Sequence, residues 1–168
     1  MGENDDRVSA ARDEGFGVFL VGMRIDRLRA VRGGLPVAAA APRMVREQAP
    51  AGLLGSRYLR DGWQGPTIVQ YWASFEALER YVAAPGTEHR RRWQRFDARA
   101  AESDAIGIWH ETSLVESYET VYRHVPPHGL GAAGSELVPA DAERETAAGR
   151  LGRDPDGAPF TPDGEVSG

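Results

Sequence analysis

Four histidines stand among 168 residues, and two of them lie in surroundings that could do chemistry. His110 sits in the stretch Gly107-Ile108-Trp109-His110-Glu111-Thr112, which reads as a strand. Strand alternation sends Ile108 and His110 to one face and Trp109 and Glu111 to the other. If Ile108 points inward, so does His110, and a buried imidazole needs a partner or a role, because an unpaired buried polar group costs roughly 1–3 kcal/mol. The structural and catalytic readings of His110 are evenly balanced on this pattern. His89, Trp93 and Phe96 recur at i, i+4 and i+7 behind an N-cap at Thr87, which places the three on one helical face. That pattern suits a packed helix at least as well as a ligand-binding one. Arg90, Arg91, Arg92 and Arg95 flank it and could reach the anionic groups of a bound molecule, with Arg92 the favoured contact. His124 and His128 flank Pro126 and Pro127 and read as loop residues.

Other chemistries are excluded by what is missing. The chain has no cysteine, so disulfides, thiolate nucleophiles, cysteine-held zinc and iron–sulfur clusters are ruled out. There is no His-Glu-x-x-His, no Gly-x-Ser-x-Gly elbow and no phosphate-cradling glycine loop; the glycines from Gly129 to Gly134 lack the helix and acidic partner such a loop needs. A net charge of −5 argues against nucleic acid as a partner. No apolar stretch is long enough to span a membrane, and the acidic N-terminus is unlike an export signal, so a cytoplasmic location is expected. The basic residues are all arginine, with many alanines and glycines, which fits a high-GC bacterial source.

The elements that must position these residues follow from pattern. Phe16 to Ile25 is a buried strand, and Leu35 to Gln48 a helix bent at Pro42. Leu53 to Leu59 and Thr67 to Trp72 form a hairpin that turns at Asp61-Gly62. Ser74 caps a helix whose inner face is Phe75, Leu78 and Val82, ended by Pro85-Gly86. The His89 helix follows, then strands at Ala105 to Val115 and Tyr118 to Val125. The order β-α-β-β-α-α-β predicts an α+β fold, the split βαβ of a ferredoxin-like sandwich. One sheet face remains to be covered, and two such sheets packed in a homodimer would close an α+β barrel around a cavity. Residues 1–15 are expected to be a disordered leader, 16–130 the barrel domain, and 131–168 an extended C-terminal arm and disordered tail.

Six segments in order, "FLVGMRI", "GLLGSRYLRDG", "VQYWASFEALERY", "HRRRWQRF", "GIWHET" and "YETVYRHVPPHGLG", resemble a family of small monooxygenase-like or phenylacetaldoxime dehydratase-like proteins of the dimeric α+β barrel superfamily. The resemblance covers roughly residues 16–152. It extends to the C-terminal half of the aldoxime dehydratases, longer haem proteins in which a helix histidine binds iron and a strand His-Glu pair lies on the distal side. By position it implies His89 as proximal ligand and His110, with Glu111, as the distal acid–base; the interval 110 − 89 = 21 fits that pattern. The dehydratases' N-terminal half, which supplies a substrate-gripping serine and arginine, has no counterpart in this chain. Trp72, opening a helix, is similar to the tryptophan of haem-degrading and antibiotic-biosynthesis monooxygenases and is expected to wall the cavity.

The resemblance thus implies haem b as cofactor, held by His89 and Arg92, with Trp72, Trp93, Phe96 and Ile108 around a small hydrophobic N–O substrate. A histidine whose unperturbed pKa is near 6.5 can serve there as both acid and base. One alternative is a cofactor-independent monooxygenase in which His110 deprotonates an activated substrate and His89 is structural. Another is a dimeric haem- or ligand-binding module without turnover.

Overall fold

The computed structural model describes residues 7–25, 50–61, 65–84, 106–140 and 144–151. Two compact units emerge, one from residues 15–115 and one combining residues 1–14 with 116–168.

In the first unit, β2 (Phe16–Ile25), β3 (Leu53–Asp61), β4 (Gly65–Trp72) and β5 (Ile106–Val115) form an antiparallel sheet in the order β3-β4-β2-β5. The apolar, Phe- and Val-rich β2 takes a central place because both its edges are paired. It matches β5 over ten residue pairs, from Phe16↔Val115 to Ile25↔Ile106. Placing the last strand beside the first, with the hairpin on the other side, is the ferredoxin-like α+β order expected from sequence. The expected helix over 35–48 lies outside the described residues.

Helix α1 (Phe75–Ala83) follows β4 directly. The Ser74 side chain accepts from the Ala77 amide at 3.2 Å, satisfying one of the donors left open at a helix start. Ala77 and Leu78 are buried against Phe19 and Trp72, with Tyr81, Leu53 and Val21 packed at the margin. The inner face is therefore not Phe75, Leu78 and Val82: Phe75 and Val82 are 42% and 44% exposed. Tight packing of Ala77 beside Gly52 turns the helix this way; a Cβ on Gly52, whose φ is +88°, would stand 2.5 Å from that of Ala77.

The second unit departs from expectation. Within the N-terminal stretch expected to be disordered, Val8–Ala11 forms β1, paired antiparallel with β6 (Glu136–Pro139) from the presumed C-terminal arm. Small side chains allow it: Ser9, Ala10, Ala133 and Ala140 are all buried, around Tyr122 and Leu130. Tyr118 to Val125 is not a full strand but bridges Val8 at Tyr122, through bonds of 3.0 and 2.8 Å. The Tyr122 hydroxyl accepts from the Gly131 amide at 3.0 Å, and Thr120 Oγ1 from the Ala10 amide at 2.8 Å. Arg150 donates to Glu119 at 2.7 Å and to the Arg144 and Glu145 carbonyls. Burial pushes the Tyr118 hydroxyl above its ordinary pKa, against the opposing pull of the Arg12 backbone and the nearby arginines.

Ser74→Ala should lower stability by about 1 kcal/mol in urea denaturation, the usual cost of an N-cap. The Ser74 hydroxyl, the Glu76 amide and Arg80 together hold the exposed Glu76 carboxyl below its usual range. That stabilising contribution is present at neutral pH and fades as pH falls below the unfolded carboxyl value of about 4.3. The Ser74→Ala deficit should accordingly shrink in acid.

Candidate functional site

The register of the sheet decides which side chains share a face. On the face that α1 covers, β2 presents Gly17, Phe19, Val21 and Met23; β4 presents Trp72, Gln70 and Ile68 opposite the first three. From the other side β5 presents Leu114, Thr112, His110 and Ile108 opposite the same four β2 residues. Ile108 and His110 do share a face, and it is the helix-bearing one.

α1 lies over the β4 and β2 side, where Phe19 and Trp72 are 7% and 0% exposed. Over the edge strand β5 the same face stays open: His110 and Thr112 are exposed and Leu114 is 65% exposed, while Ile108 is half-buried. The imidazole of His110 tilts against the Phe19 ring, with centroids 5.8 Å apart. His110 is thus an accessible imidazole at the rim of an apolar core. Because α1 does not reach the edge strand and His110 is exposed, no cost of burial demands a role for it.

Trp72 is also placed differently from expectation. It is a fully buried core pillar, not an open cavity wall, its ring 5.2 Å from that of Tyr81 and its Nε1 donating to Gln70 Oε1 at 3.2 Å. Glu111 pairs with Leu20 on the opposite face and is exposed there, so adjacent strand positions send its carboxylate away from the His110 ring. The expected orienting role of Glu111 has no side-chain geometry behind it. His89, Arg92, Trp93 and Phe96 lie outside the described residues. His124 and His128 are exposed loop residues, as expected, His124 with φ of 52°. Among the described residues no group of three or more His, Asp or Glu could hold a metal ion, and no helix is long and apolar enough to cross a membrane.

Phe19, Gln70 and Thr112 join His110 on this face and were not singled out in the sequence. Phe19 was visible only as one apolar residue in an apolar run. Its position beside His110 depends on a pairing across more than ninety residues, which no local pattern reports.

On the other face, Trp109 lies over β2 at Gly22. A Cβ there would stand 2.4–2.5 Å from the indole atoms, so glycine is what lets the ring lie against the strand.

The chain belongs to the family described as Monooxygenase af470-like, which it matches over residues 16–130. Among curated proteins none matches. Among solved structures it is similar to the aldoxime dehydratase OxdRE in complex with butyraldoxime, with a TM-score of 0.61 and 21% identity over 78% of this chain. The match spans 40% of that dehydratase's length. It is also similar to SnoaB, a cofactor-independent oxygenase from Streptomyces nogalater, at a TM-score of 0.36 and 18% identity over 63% of this chain and 96% of that one. A heme-degrading protein from Mycobacterium tuberculosis gives a TM-score of 0.33 and 17% identity, over 60% and 92% of the two chains. At this identity the likeness to the dehydratase is one of fold.

Gly22→Ala should force Trp109 off the sheet and destabilise the protein by about 1–3 kcal/mol in urea denaturation, the usual cost of overpacking. Tryptophan fluorescence of the folded variant should shift, reporting a moved indole.

Proposed function

We propose that this protein is a haem-binding enzyme of the aldoxime dehydratase-like type, acting on a small hydrophobic N–O compound, with His110 as its acid–base. The observation that carries this is an accessible imidazole on the helix-bearing face, beside Phe19 and at the edge of an apolar core. What supports a cofactor on this face is that α1 does not cover its β5 side, where His110, Thr112 and Leu114 are exposed. His89 would hold the iron and Arg92 a propionate, on the strength of the family resemblance. Bound haem would supply a Lewis-acidic iron able to take the substrate nitrogen.

The chain's own part is proton handling. Imidazole bridges donor and acceptor states near neutral pH, so His110 can deliver a proton to a hydroxyl that departs as water and take up the proton released from the substrate carbon as the nitrile forms. Phe19 and Ile108 keep the surroundings apolar, which strengthens that hydrogen bond. A second copy covering the opposite sheet face would complete a homodimeric barrel, and the site would work in the cytoplasm. The alternative, cofactor-independent oxygenation with His110 as base, uses the same accessible imidazole and needs no His89.

Adding hemin to the purified protein should produce a Soret band, and dithionite should give a histidine-ligated ferrous spectrum. His89→Ala should abolish haem retention. His110→Ala should retain haem while aldoxime turnover falls at least about a hundredfold, the lower range for a lost acid–base. A protein that stays colourless would overturn the haem reading, and two variants that both bind haem as the parent does would overturn the assignment of His89 as ligand.

A further inference from the structure

On the helix-bearing face β5 presents one open strip. Ile108, His110, Thr112 and Leu114 follow one another along it, opposite Met23, Val21, Phe19 and Gly17 of β2. His110, Thr112 and Leu114 are exposed, and α1 packs on Phe19 and Trp72 without covering them. The strip therefore runs apolar, imidazole, hydroxyl, apolar, with Thr112 as the polar neighbour of His110. Among the described residues the Thr112 hydroxyl makes no hydrogen bond.

Both polar groups border the same ring. Thr112 stands directly opposite Phe19, while His110 meets the Phe19 ring from the neighbouring position, with centroids 5.8 Å apart. Strand positions two apart are separated by about 7 Å. One oxygen atom hydrogen-bonded to a group on each side spans about 5.5 Å, and the length of the imidazole closes the difference. A single substrate hydroxyl can thus touch both. The two contacts are not interchangeable: protonated imidazole only donates, whereas a threonine hydroxyl also has lone pairs and can accept. A hydroxyl bound to nitrogen has one hydrogen to donate and lone pairs to take a proton, so it satisfies both at once.

We infer that Thr112 holds the substrate's departing hydroxyl, accepting its hydrogen at Oγ1 so that a lone pair of the same oxygen faces His110. This deepens the reading of His110 given above and rests on it. His110 protonates the oxygen, the N–O bond breaks with its electron pair going to oxygen, and water leaves with the hydrogen that Thr112 held. The carbon-bound proton returns to His110 as the nitrile forms. Thr112 is neither acid nor base in this sequence. It sets specificity, favouring a free N–OH over an O-substituted analogue, which has no hydrogen to give.

Phenylacetaldoxime and its O-methyl ether differ in that hydrogen. Binding of each to the full chain, with and without hemin, is measured by titration calorimetry, so that the result does not depend on turnover. The free aldoxime should bind about tenfold more tightly than the ether, the worth of one good hydrogen bond. A β-branched residue suits an edge strand whatever else it does, so one substitution keeps the branch and the other keeps the hydroxyl. Thr112→Val should retain the parent's melting temperature and lose the tenfold margin, while Thr112→Ser should retain the margin. His110→Ala should weaken both probes and leave the margin between them. A margin that survives in Thr112→Val, that disappears in Thr112→Ser, or that is absent from the unsubstituted protein although both probes bind, overturns the inference and leaves the role of His110 standing. If neither probe binds, the functional reading fails, and the inference with it.

Discussion

Everything at the candidate site hangs on the β2–β5 ladder. Ten antiparallel pairs hold the last strand of the sheet against its central one. Because side chains alternate with period two, a slip of one residue would move His110 to the far face and bring Glu111 to the near one. The apolar face of β2 and the indole of Trp109 over Gly22 both penalise that slip. A histidine 89 residues from its strand partner Val21 is thereby held against Phe19. Packing on one face fixes the position of a functional group on the other.

α1 has a complementary effect. By covering Phe19 and Trp72 while leaving β5 open, it divides one sheet face into a dry core and an accessible rim. The Trp72–Gln70 hydrogen bond lies on the covered β4 side and satisfies the only polar atom of a fully buried indole. The site and the core are thus continuous, and a change in one is felt in the other.

The residues 1–14 and 116–168 unit follows a different principle. Its two described strands, Val8–Ala11 and Glu136–Pro139, are only four residues long. Backbone pairing is supplemented there by side chain to backbone bonds from Thr120, Tyr122 and Arg150. Strands this short have few side chains to bury, and such bonds carry a larger share of the order.

Sequence alone specifies the strands of the central sheet and the existence of α1, because long apolar runs, Ser74 and the hairpin residues are local signals. It also determined that Ile108 and His110 share a face, since alternation is a property of any strand. Only the tertiary structure decided which face that is, that His110 is exposed there, and that Trp72 is a core pillar with Gln70 as its partner. It likewise decided that Val8–Ala11 pairs with Glu136–Pro139, more than a hundred residues away. The physical reason is common to these cases: burial and pairing are relations between distant segments, and a local pattern carries only the geometry of its own strand or helix.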